Sequence, residues 1–594
     1  MATIPVNNDG KIYQIQKFLG LHESSDGDTQ IKMGESPAMV NWQVTTQGHL
    51  RTRPGAKAIH TFSGPVRGLW AGHIGGRARV LCAADGGVWS IEDGNLERIG
   101  DIWDDWTTFF VFGGKVYILN GHEYMKWDGE GYVDTVDGYI PIVVTAAEPA
   151  SGAGTTLENP NLLTGKRRVR YVSDGETVAY LLPAGNTLAS VDKVTIDGAV
   201  VSGYTVNKTA RTVTFTTAPA EGSNNVEITY TELTPDRAKI EAMRFSEMFN
   251  GANDSRVFVY GDGSAKAYYC GIPFDSGIPS AEYFPDLYEM MVGDSTTPIT
   301  AMIKHYDKLL TFKPDGTFST AAGTMTLEDG TVIPAFTTNT MNREVGNEPM
   351  GQVRLVYNYP RSIHDGSIYD WTISSVRDER NSKLASQRVA ESMQEADVDS
   401  VFTFDDDMLH EYYIFLNDAA GNVLVHNYIT DIWYKYDRLP ARCACRAGKT
   451  VYLGFTNGKL CTFSHENKAD DDSAILTKWE SGNMDFGSDY LRKHSSLVWV
   501  SLKPAENARV FVTAKSDRRS EYAEKEVFCN TANFWHVNFN HFSFETNHRP
   551  KMRRVKLKVK KFAFYKLIIR SEVPNGEATV LGIDMRVRFT GYVK

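Results

Sequence analysis

The chain has 594 residues, with 63 Lys and Arg against 73 Asp and Glu, a formal net charge of −10. That balance excludes a general nucleic-acid coat, which needs a basic excess, but not a surface past which DNA slides. Hydrophobic residues at 42 % and charged residues at 23 % place it among folded chains, and its 28 Tyr, 29 Phe and 50 Gly favour short strands joined by tight turns over helices.

The first residues, Met1 to Leu21, are polar with scattered charges and lack the apolar run of a signal peptide. No stretch approaches 18 consecutive apolar residues, the length of a membrane-spanning helix. A soluble chain made in the cytoplasm is expected. Six cysteines, at 82, 270, 443, 445, 461 and 529, are too sparse for a disulfide framework. Cys443 and Cys445 have no second Cys or His pair at zinc-site spacing and read as buried thiols.

Along the chain a hairpin recurs, in which a short apolar strand meets a Gly, Asn or Asp turn and a strand rich in Tyr or Trp follows. Seven copies are legible: Val80–Trp89, Val116–Trp127, Val257–Tyr269, Leu309–Phe318, Val356–Trp371, Tyr413–Tyr428 and Val451–Phe463. Further strands fit between several of them, such as Trp106–Phe112 and Pro298–Ile303. Repeated three- to four-stranded units predict an irregular β-propeller, because radial repetition hides strand edges. A set of unrelated antiparallel sandwiches is the alternative.

Between the second and third copies the spacing opens. Pro149–Thr156 reads as a small-residue linker. Six strand-like runs follow, Val169–Ser173, Glu176–Leu182, Val191–Ile196, Tyr204–Asn207, Thr212–Thr216 and Asn225–Thr231, with Asp197-Gly198 as a hairpin turn. They predict an inserted immunoglobulin-like β-sandwich. Two helices are expected, one opened by Thr234-Pro235 and running to about Met248, the other over Ser382–Glu395 with Leu384, Val389 and Met393 as apolar contacts. The expected organisation is residues 1–143 as the N-terminal segment and first blades, 144–233 as the inserted sandwich and 234–470 as the remaining blades. Residues 471–594 make a C-terminal β region that could close the propeller.

Enzyme chemistry is hard to find. No Walker loop, G-x-S-x-G or H-E-x-x-H occurs, and no catalytic residue, metal site or cofactor site is expected. Asp405–Asp407 and Asp470–Asp472 are carboxylate triplets without the spacing of a calcium loop, and read as solvated turns. Ser362, Asp365, Gly366 and Trp371 echo the Asp box of sialidase propellers at the wrong spacing. Paired glycosidase carboxylates need not be neighbours in sequence, so that activity stays open.

Between Arg549 and Arg570 stand ten Lys or Arg and no Asp or Glu. Arg554, Lys556, Lys558 and Lys560 alternate with Val555, Leu557 and Val559, the pattern of a strand with one buried and one basic face. Contact with a neighbouring subunit or partner is favoured for this stripe, then DNA, then protection of a sheet edge.

Phe18-Leu-Gly-Leu21, Gly34-Glu-Ser-Pro-Ala-Met-Val-Asn41 and Gly48-His-Leu-Arg-Thr-Arg-Pro-Gly55 are followed by Ser255–Gly261, Ala281–Pro285, Pro298–Ala301 and Lys308–Phe312. In this order they resemble the propeller-type virion proteins of tailed bacteriophages, known as tail nozzle, tail hub or packaged-DNA stabilisation proteins. The resemblance covers most of residues 10–465, apart from the insertion. It implies a non-enzymatic virion protein of the tail, in a hexameric ring below the portal and its adaptor. Such a ring extends the conduit for double-stranded DNA, helps retain the packaged genome until ejection, and meets tail fibres or other tail proteins. The rival reading is a tail-tip receptor-binding or glycan-cleaving protein.

Overall fold

The structure, a computed structural model, describes residues 10–23, 31–92, 94–233, 236–250, 255–326, 332–372, 381–531, 549–573 and 576–592. The protein is mainly β, with seven four-stranded antiparallel sheets of propeller type among the described residues. Each expected hairpin forms the two central strands of one of them. Turns such as Asp85-Gly86 and Asp365-Gly366, with both residues at positive φ, match the twist of the strands they join. The chain divides into two compact units, residues 67–353 and residues 1–66 with 354–594.

The first unit holds four blade sheets. They span Val66–Ile74 to Asn95–Asp101, Thr108–Phe112 to Asp134–Thr135, Phe245–Phe249 to Glu289–Met291, and Ala301–His305 to Val332–Asn342. Between its second and third sheets lies a two-sheet sandwich. A six-stranded sheet reaches from Ile142–Ala147 to Gly222–Glu232, and a three-stranded sheet joins Ala179–Leu181, Thr212–Phe215 and Tyr204–Asn207. Its core is its own: Tyr171, Tyr180, Val194, Phe215 and Tyr230 are buried together, with edge-to-face contacts from Tyr180 to Tyr171 and Phe215. Pro149–Thr156 is not a linker before this sandwich but lies inside it. Thr155–Thr156 pairs with Val144–Thr145, and the intervening turn closes with Glu148 N–H donating to Ala153 O.

The second unit holds three blade sheets and a further sandwich. The last blade takes its fourth strand from the other end of the chain: Gly55–Thr61 pairs with Lys459–Ser464 after Ala441–Ala447 and Thr450–Phe455. The described residues of 471–594 supply none of its strands. They build two sheets instead, which N-terminal strands complete. Lys11–Ile15, Trp42–Val44 and Leu50–Thr52 enter the sheet of Leu491–Leu502 and Thr579–Tyr592, while Ala38–Val40 enters that of Thr477–Glu480 and Tyr565–Ser571. Strands of the N-terminal segment therefore complete both the C-terminal sheets and the last blade. Trp42, Val498, Val512, Ile569 and Met585 lie in one continuous buried cluster.

Both expected helices shrink. Thr234 and Pro235 lie outside the described residues, the helix is only Ala238–Glu241, and Phe245–Phe249 is a strand. In the other segment Ser382–Leu384 is an edge strand, and the α-helix is confined to Ala390–Gln394. No helix among the described residues is long and apolar enough to cross a membrane.

Candidate interaction surface

The basic alternation folds as the sequence predicts locally, but in two pieces. Lys551–Val555 and Val559–Phe562 both pair with Leu491–Leu502, and Lys558, between them, has a φ of 53°. Val555, Leu557 and Val559 are buried, while Arg554, Lys556, Lys558 and Lys560 are exposed. None of these four cations makes an ion pair with a described residue.

The surface is wider than this stripe. Strand register sets Lys560 directly opposite His494, and His494 directly opposite Arg588, so three basic side chains share one row across three neighbouring strands. Like charges placed opposite one another in a sheet are destabilising. The His494 pKa is lowered, by burial first and then by Lys560, Lys561 and Arg588. The next basic row is partly balanced, because Arg554 faces Trp499, which faces Asp584. Lys493 turns inward, where its Nζ donates to Leu491 O and Ala563 O, both at 2.9 Å. The sequence reading missed His494 and Arg588, although Arg586-Val587-Arg588 repeats the alternation of residues 554–560.

The carboxylate triplets are built into the fold. Asp470 receives two hydrogen bonds from Arg53, at 2.9 and 2.6 Å, and Asp471 accepts from Ala58 N–H at 2.7 Å and Lys459 Nζ at 2.6 Å. Asp406 is buried and pairs with Arg446. Asp405 differs: one of its oxygens is buried without a hydrogen-bond partner, and burial, then Asp407 and Asp406, pushes its pKa to about 7. Ser362 and Trp371 meet across a strand pair, with Trp371 Nε1 donating to Ser362 Oγ at 2.8 Å. Cys443 and Cys445 are buried, and burial pushes the Cys445 thiol up to about 12. Among the described residues, no three His, Cys, Asp or Glu side chains are grouped to hold a metal ion.

The N-terminal motifs also do structural work. Asn41, at a φ of 57°, accepts from Arg53 Nε at 2.8 Å and donates to Asp437 Oδ1 at 2.6 Å. Gly20 sits at a φ of 83°, and a Cβ there would lie 2.5 Å from Trp433 O. At Gly55 a Cβ would lie 2.3 Å from Ala469 O.

No protein-family model matches the chain, and none of the curated proteins matches its sequence. Among solved structures it is similar to the computationally designed Ika8 protein, at 11 % identity and a TM-score of 0.31 over 68 % of this chain and 98 % of that one. It is also similar to an exo-β-1,3-galactanase from Phanerochaete chrysosporium, at 10 % identity and a TM-score of 0.17 over 84 % of this chain and 99 % of that one.

Proposed function

We propose that the chain is a structural subunit of a bacteriophage tail, a nozzle or hub ring below the portal and adaptor that conducts double-stranded DNA and helps retain it until ejection. One observation supports this reading most. The residues that carry the resemblance, Gly20, Asn41, Arg53 and Gly55, hold the N-terminal segment against Trp433, Asp437, Ala469 and Asp470, in and just after the last two blades. Motifs that maintain architecture suit a scaffold whose task is shape. An acidic chain also suits a conduit, since it holds passing DNA weakly. Assembly of particles with this protein withheld tests the reading. Such particles are expected to package DNA and then lose it, leaving the genome open to nuclease. Particles that keep a protected genome contradict it.

A second reading, a tail-tip protein that cleaves glycans, draws on Asp405. A carboxyl group with a pKa near 7 is suited to protonate a leaving group. It predicts turnover of host surface glycans that Asp405→Asn abolishes.

A further inference from the structure

The basic row on the C-terminal sandwich has a counterpart elsewhere in the same chain. Residues 92–137 hold eleven Asp or Glu and three Lys or Arg. They form the outer strand of the first blade, Asn95–Asp101, and most of the second blade. The two segments meet there, with Val133 N–H donating to Ile99 O at 2.8 Å. Glu97, Asp128, Glu130 and Asp134 are exposed on this rim, and none makes an ion pair with a described residue. In their midst Tyr132 is 75 % exposed, an aromatic ring on which a Lys or Arg can settle.

We infer that the basic surface of Lys556, Lys558, Lys560 and Arg588 on one copy packs against the acidic rim of Glu97, Asp128, Glu130 and Asp134 on a second copy. The inference rests on the ring reading and names the two surfaces that make the ring. Two unlike patches on one chain make a heterologous contact, which repeats from copy to copy and closes when its rotation allows. Uncompensated like charges on each face are a local cost that the contact removes on both sides at once. Charge matching of this kind sets register and partner choice. A second copy is favoured over DNA because the chain carries the complementary surface itself, while its net charge of −10 repels a polyanion at long range.

A charge swap on the full chain tests the pairing. One variant carries Lys556→Glu, Lys558→Glu and Lys560→Glu, and the other Glu97→Lys, Asp128→Lys and Asp134→Lys. All six sites are exposed, and thermal unfolding verifies that each variant folds. Native mass spectrometry at low and high salt reads assembly. Each variant alone is expected to assemble at least about tenfold more weakly than the parent, most clearly at low salt. An equimolar mixture should recover assembly, because each reversed face then meets an opposite charge. Three results overturn the inference: folded variants that assemble like the parent, a mixture that does not recover, or a basic-face variant that assembles normally and loses only DNA binding. If the parent itself forms no assembly, the ring reading falls as well; if it forms rings that ignore the swaps, the pairing alone falls.

Discussion

Arg53 and Asp470 form a two-pronged ion pair across 417 positions of sequence, with Nη1 to Oδ1 at 2.9 Å and Nη2 to Oδ2 at 2.6 Å. The Arg53 side chain is fully buried, and its other donors go to Asn41 Oδ1, Pro54 O and Asp437 O. The pair lies beside the place where Gly55–Thr61 joins the last blade, so it fixes the strand that completes that sheet. A buried guanidinium is tolerable only when its donors are satisfied. Removing one partner strands the other.

Arg53→Ala should therefore lower the stability of the unit formed by residues 1–66 and 354–594 by about 3–5 kcal/mol. Asp470→Ala should cost nearly as much, and the double variant much less than the sum. Chemical denaturation of the four proteins in a double-mutant cycle checks this, with a coupling above about 1 kcal/mol expected. Arg53→Lys should recover little, since an ammonium cannot match both carboxylate oxygens.

The same N-terminal motif shapes a pH response. His465 follows the strand that pairs with Gly55–Thr61, and its pKa falls from 6.5 to about 4, through burial first and then Arg51, with Glu577 opposing. The unfolded chain takes up this proton near pH 6.5 and the folded chain only near 4. Acidification between those values therefore favours unfolding, and the stability that neutral His465 contributes is lost across that window. Thermal midpoints from pH 7 down to pH 4 should fall less steeply for His465→Gln than for the parent. Parallel curves would exclude His465 as the source.

The inserted sandwich has a core separate from the blades. Tyr171, Tyr180, Val194, Phe215 and Tyr230 pack with each other, and buried Glu232 is satisfied by Arg167 at 2.6 Å and Arg211 at 2.5 Å. Expressed alone, residues 142–232 should give a β-type circular dichroism spectrum and a single cooperative thermal transition. A gradual, featureless melt would show that the sandwich needs its host.

The blades were legible in the sequence because each rests on a local signal, an alternating strand pair around a short turn, which passes through positive φ in every blade hairpin except the one at Pro314-Asp315. The strand Gly55–Thr61 left no such trace, since its partner lies about 400 residues away in the chain and nothing nearby betrays the pairing. The helix expected up to Met248 failed for a different reason. Phe245 and Phe249 are four apart, which suits a helix face, yet both are buried from a strand whose middle residues are half-covered. In Ser382–Glu395, Val389 and Met393 do share a buried face, but Leu384 sits exposed on an edge strand. The basic surface was read from one strand only. Its full row needed the register that brings His494 and Arg588 beside Lys560.

Electron microscopy of the purified protein tests the proposed ring most directly. Closed rings with a through-channel wide enough for duplex DNA are expected. Single molecules or open clusters without a channel, at every concentration and salt tried, would contradict it.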